Sequence, residues 1–117
     1  FEQLQYIGDT RLQALTTYVL TGDDRLPRHA LRLFDWSRVT DLGGFTQSRY
    51  PSRVRQMTWS FPLWWVGMVY DFALWRDDPA FVRSLLPGVR AVLDAFRQWV
   101  KPDDLLHVPV GPNYNFQ

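Results

Sequence analysis

Residues 21–24 read TGDD and residues 76–79 read RDDP. Each is a short acidic turn set between two apolar runs with helical spacing, and that repetition decides the fold. Thr21-Gly22 is expected to end one helix, with Gly22 as its left-handed C-cap. Asp23 is expected to cap the next helix, whose Pro27 falls in the first turn, where proline is tolerated. Asp78-Pro79 joins an N-cap to a proline at the first helical position. Working outward, Gly8-Asp9 reads as a helix entry with Asp9 as N-cap. Leu12, Leu15 and Val19, with Ala14 and Tyr18 beside them, then recur at spacings of three and four. Leu26, Ala30, Leu33, Phe34 and Ser37 mark one face of the second helix. A third helix is expected from Ser60-Phe61-Pro62 to Trp75; it is apolar nearly all round and so buried on most sides. Phe81, Leu85, Val89, Val92, Phe96 and Val100 form the inward stripe of the fourth, where Pro87-Gly88 is expected to kink or split the helix. The expected fold class is all-α, built of tandem antiparallel helical hairpins.

Alternation of direction then places the connections. With both acidic turns at one end, the first segment FEQLQYIGD, the loop 39–57 (VTDLGGFTQSRYPSRVRQM) and the tail 102–117 are expected to gather at the other. Gly43-Gly44 and Pro51 argue against regular structure in that loop. A loop of this length in a compact domain is usually functional or disordered. The third helix also carries more apolar surface than three neighbours can cover. The chain, which starts without Met, is therefore expected to be part of a larger helical domain.

Composition excludes several chemistries. With 46% apolar residues among 117, the chain can bury a core but holds one domain at most. Thirteen basic and 12 acidic side chains leave a formal charge of +1 with no block of like charge, so no nucleic-acid partner is expected. No Cys is present, which removes thiol catalysis, disulfides and Cys-ligated zinc. His29 and His107 are too few for a His-based metal site, and no metal or cofactor is expected. Between Met57 and Trp75 the only charged residue is Asp71. Asp71 would cost about 2.5–3.5 kcal/mol near the centre of a bilayer span. Pro62 and Gly67 interrupt the run, so it is read as a buried helix and no membrane partner is expected. Compartment is left open between cytoplasmic and secreted.

The end that collects the loops also collects functional groups. Glu2, Tyr6 and Asp9 come from the first segment; Arg49, Tyr50 and Arg53 from the long loop; His107, Asn113, Tyr114 and Asn115 from the tail. Carboxylates bond sugar hydroxyls and transfer protons, and aromatic faces stack on the C–H faces of a sugar ring. Six Trp, five Tyr and eight Phe supply platforms in number, Trp59 among them. Each residue also has a plainer reading: Asp9 as a helix cap, Glu2 as a solvated charge, the arginines as ion-pair partners, the aromatics as core. Gly43-Gly44 lacks the rest of a phosphate-loop pattern, and no nucleophile elbow surrounds any Ser. The marker positions of tetratricopeptide repeats are missing as well.

The run from Glu2 to Arg11, EQLQYIGDTR, resembles the catalytic motif of bacterial alpha-L-rhamnosidases, the six-hairpin glycosidases of glycoside hydrolase family seventy-eight. Glu2 stands seven residues before Asp9, as the general acid of that family stands before its Asp. Tyr6 falls where the family commonly has Trp. TQSRYPSR (46–53), LWWVGM (63–68) and DDPAFVR (77–83) resemble the same family, and Asn115-Phe116 looks like the start of a segment that usually continues Asp-Trp. The resemblance covers essentially the whole chain. It implies that residues 1–117 are about two hairpins of an (α/α)6 barrel, and that the remainder of the barrel is their partner. It implies inverting hydrolysis of terminal alpha-L-rhamnosides, with Glu2 protonating the glycosidic oxygen. Asp9 would bond sugar hydroxyls and raise the pKa of Glu2 by like charge. Tyr6, Arg49, Arg53, Trp59 and Tyr114 would complete the carbohydrate pocket.

Three departures stand beside it. The Arg-Asp that normally precedes the general acid is absent, and Tyr6 offers a smaller face than Trp. An inverting enzyme also needs a second carboxylate about 6.5–9.5 Å from the first. Neither Asp35 nor Asp71 is assigned that role, and the base is expected from outside these residues. A non-catalytic helical carbohydrate-binding module and another six-hairpin carbohydrate-active enzyme are the competing expectations.

Overall fold

The computed structural model describes residues 3–108. Glu2, Asn113, Tyr114 and Asn115 lie outside them. The fold is mostly helical. In chain order it comprises β1 (Gln5–Tyr6), α1 (Ile7–Leu20), α2 (Arg25–Trp36), a 3-10 turn (Thr40–Leu42), β2 (Arg49–Tyr50), α3 (Ser60–Trp75) and α4 (Pro79–Arg97). The helices form two hairpins, α1–α2 and α3–α4, with α3 packed against all three others.

The two acidic turns meet at one end, as their alternation predicts. Arg28 pairs with Asp24 at 2.8 Å and with Asp78 at 2.5 Å, so one guanidinium clasps both turns. It lies 4.9 Å from the ring centres of Phe72 and Phe81. Arg76 donates from Nη2 to the carbonyl of Thr21 at 2.6 Å, a second strap across the same end. Asp78 caps α4 as expected, accepting from the Phe81 N–H at 2.9 Å, with Pro79 at the first position.

Other local expectations are corrected. Helix α1 starts at Ile7, two residues before the expected Asp9 cap, and Tyr6 at the cap position offers no side-chain bond. The Ile7 N–H is instead taken by the Ser48 carbonyl at 3.0 Å, so a distant loop replaces the local cap. Gly22 is not left-handed. Helix α1 ends on extended Thr21, whose N–H reaches Thr17 O, and Gly43 and Gly44 are the glycines with positive φ among the described residues. The cap position of α2 is Asp24, without a side-chain cap bond, while Asp23 accepts from the N–H and guanidinium of Arg25. Helix α4 is not split at Pro87; it runs unbroken from Pro79 to Arg97.

The core runs along α3. Leu31, Phe34, Phe45, Trp65 and Phe72 are fully buried, each worth about 1.5–3 kcal/mol of transfer free energy. Trp65 donates from Nε1 to the Leu31 carbonyl at 3.0 Å, so its one polar atom is satisfied inside the core. The buried stripe of α1 is Ile7, Thr10, Ala14 and Tyr18 rather than the leucine series, and Leu12 and Val19 face outward. Leu26 and Val100, expected inside, are also exposed. Leu63, Trp64, Tyr70 and Leu74 line an exposed face of α3, in keeping with its excess of apolar surface.

Candidate functional site

At the end opposite the clasp, β1 and β2 pair antiparallel with Gln5 opposite Tyr50 and Tyr6 opposite Arg49. Two residues per strand are enough because three further bonds hold the loop in place. Ser48 O accepts from Ile7 N, Ser48 N donates to Gln56 O at 2.9 Å, and the Ser48 hydroxyl accepts from Thr58 N. Gln47 anchors the far side, its N–H donating to the Ser37 hydroxyl at 3.0 Å. The first segment and the long loop therefore share one end, as expected from the alternation of the helices.

The pairing brings Tyr6 and Arg49 together. Arg49 donates from Nη1 to the Tyr6 hydroxyl at 3.1 Å, and its guanidinium carbon lies 6.0 Å from the centre of the Tyr6 ring. Tyr6 and Asp9 line an open groove of about 330 Å³ together with Leu4, Gln5, Thr10 and Gln13. Asp9 is exposed in the first turn of α1, where a carboxylate is favoured by the positive end of the helix dipole. The groove thus offers two amides, the Tyr6 hydroxyl and one carboxylate around one aromatic ring, with the buried Thr10 in its wall. Such a set can donate to and accept from several sugar hydroxyls at once.

The remaining expected residues fare differently. Arg53 is exposed on the loop and forms no ion pair among the described residues. Trp59 is a correction: it is 6% exposed and serves the core rather than an open platform. Its ring lies edge-on to Phe45 at 5.5 Å and to Trp99 at 4.6 Å. This aromatic block fixes the loop against the end of α4. His107 closes a small turn there, its Nε2 2.9 Å from Asp103 Oδ2 and its N–H donating to Trp99 O. The Leu105 N–H, and then His107, hold the Asp103 carboxyl below its ordinary range. Expected Glu2 and Tyr114 fall outside the described residues.

Gln5, Thr10 and Gln13 are groove residues that the sequence reading passed over. Thr10, Gln13 and Thr17 recur at three and four along α1 as a polar stripe beside the more conspicuous leucines. A second groove of about 240 Å³ shares Gln5, Thr10 and Gln13 and continues between α1 and α2 toward Ala14, Pro27 and Ala30. Among the described residues no cluster of three or more potential ligands could hold a metal ion, and no helix is long and apolar enough to cross a membrane. Compared with protein-family models, with curated proteins and with solved structures, the chain has no match.

Proposed function

We propose that the chain is part of the catalytic domain of an inverting glycoside hydrolase that cleaves terminal alpha-L-rhamnosides. In this reading its two hairpins belong to an (α/α)6 barrel, and the apolar face of α3 with Leu63, Tyr70 and Leu74 is covered by further hairpins. Glu2 protonates the departing glycosidic oxygen. Asp9 and Gln13 bond the sugar hydroxyls, and Tyr6 presents its ring to the sugar. The base that activates water comes from another part of the barrel.

The observation that carries the reading is the pairing of Gln5–Tyr6 with Arg49–Tyr50. It joins the two segments whose residues resemble the rhamnosidase motifs, and it borders a polar groove of about 330 Å³. The test compares the 117 residues with the longer protein that carries them. An aryl alpha-L-rhamnoside is turned over by the longer protein and not by the isolated chain. Turnover by the isolated chain would show that no outside base is needed and would overturn this division of labour.

One observation favours a second reading. Among the described residues Asp9 is the sole carboxylate lining the groove, which suits a non-catalytic carbohydrate-binding module. In that case the longer protein binds L-rhamnose but hydrolyses no rhamnoside.

A further inference from the structure

Helix α4 buries Phe81, Leu85, Val92 and Phe96 and carries a second pattern on its outer face. Arg83, Arg90 and Arg97 recur every seven residues, and all three are exposed. Leu86 and Leu93 run beside them at the same interval, 37% and 42% exposed, and Val100 continues their row just past the helix end. The six residues alternate at spacings of three and four, the seam along which two helices pack. Single apolar residues scattered over a surface need no explanation, but a row in register with a charged row does.

The arginine row is also short of counter-charge. Among the described residues Arg83 and Arg90 form no ion pair, and Arg83 borders a hollow with Asp77 and Asp78 without a bond to either. Arg97 reaches Asp94, the one carboxylate on α4, at 3.9 Å with both side chains exposed. Such a surface pair contributes little. Successive arginines stand about 10.5 Å apart along the axis, at seven residues of helical rise.

We propose that this face docks an acidic amphipathic helix of a partner protein. Carboxylates at every seventh position of that helix meet the arginine row, and its apolar side chains meet Leu86 and Leu93. Charge complementarity selects this occupant. A second copy of the chain does not fit, because α4 against α4 sets arginine against arginine. Its helical carboxylates are also engaged already, Asp35 by Arg38 and Asp71 by Arg11. A lipid surface fits less well, since Leu86 and Leu93 are more than half buried and leave little to insert. Nucleic acid would use the arginines and leave the leucine row idle. No residue lining the two grooves beside α1 lies on α4, so the partner does not depend on what those grooves bind.

The test titrates labelled synthetic helices of about three heptads with the longer protein that carries this chain, read by fluorescence anisotropy. One helix places Glu and Leu to meet the two rows in parallel, another does so in antiparallel order, and controls carry Lys in place of Glu. The expected result is that a Glu helix binds about tenfold or more tightly than its Lys counterpart, and less tightly as salt rises. Its binding weakens about tenfold or more in the double variant Arg83→Gln with Arg90→Gln, and again in Leu86→Ser with Leu93→Ser. All four positions are exposed, and thermal unfolding checks that both variants keep the fold. Failure of both Glu helices to bind overturns the proposal. Binding unchanged in the arginine variant places the contact elsewhere and overturns it too. A loss in the arginine variant alone shows a diffuse attraction for anions and contradicts a packed helix. Vesicles of phosphatidylcholine with phosphatidylserine form the last arm. Vesicle binding that falls in both variants, with no Glu helix bound, assigns the face to a lipid surface instead.

Discussion

Gly88 lies inside α4 because the guanidinium of Arg38 occupies the space a side chain would need. A Cβ at that position would meet the Arg38 guanidinium carbon at 2.7 Å and would crowd Asp35 as well. Arg38 cannot swing aside at no cost. Its Nε donates to Asp35 at 2.8 Å, its Nη1 donates to Gly44 O at 2.7 Å, and it stacks 4.8 Å from the centre of the Trp65 ring. Gly88→Ala is therefore expected to lose about 1–3 kcal/mol of stability in urea unfolding, in the range of overpacked interiors. In an Arg38→Ala background the same substitution is expected to cost markedly less, a coupling that a double-mutant cycle reads directly. Trp65→Phe removes the bond to Leu31 O and leaves a void, and is expected to cost about 2–4 kcal/mol. A urea midpoint within experimental error of wild type would contradict the central place given to Trp65. The sequence marks Pro87-Gly88 as a break, but the glycine serves a long-range contact that no local rule reveals.

Each helix boundary reflects a competition between local caps and distant partners. Helix α4 begins where its sequence says, because Asp78 and Pro79 act within the first turn. Helix α1 begins early, because Ser48 reaches across from the loop to take its first N–H. Helix α1 also carries apolar residues on two faces. Periodicity finds both, but only packing against α3 selects Ala14 and Tyr18 over Leu12 and Val19. The Asp78 cap has a consequence in acid. The Phe81 N–H, and then Arg28, hold the Asp78 carboxyl below its ordinary range. The folded state thus binds its proton at lower pH than the unfolded state does. Its contribution is fully present above the ordinary carboxylate value of about 3.9 and is lost as pH falls through the lower folded value. Asp78→Ala is expected to lower Tm at pH 7, with the difference from wild type narrowing below about pH 3. A Tm difference that stays constant across that range would show that the carboxylate adds nothing beyond side-chain shape.

At the scale of the whole molecule, the hairpin pattern and its polarity were legible from two four-residue turns. Arg28 clasps those turns, and the β1–β2 pair joins the loops at the other end. The candidate site was legible in part. Tyr6, Asp9 and Arg49 share one end because their segments connect antiparallel helices there. Trp59 was misjudged because an aromatic beside a functional loop and an aromatic in the core look the same in one dimension. Thr10 and Gln13 were missed because polar residues on a helix read as solvated until a groove forms beside them, and Gln5 because nothing local marks a two-residue strand. The central claim is that Glu2 donates the proton to a departing rhamnoside. It is tested most directly by Glu2→Gln in the longer protein, assayed on a natural alpha-L-rhamnoside and on an aryl rhamnoside with an activated leaving group. The predicted result is a loss of several orders of magnitude on the natural substrate and a far smaller loss on the activated one, which needs little protonation. Equal and mild losses on both would contradict the account.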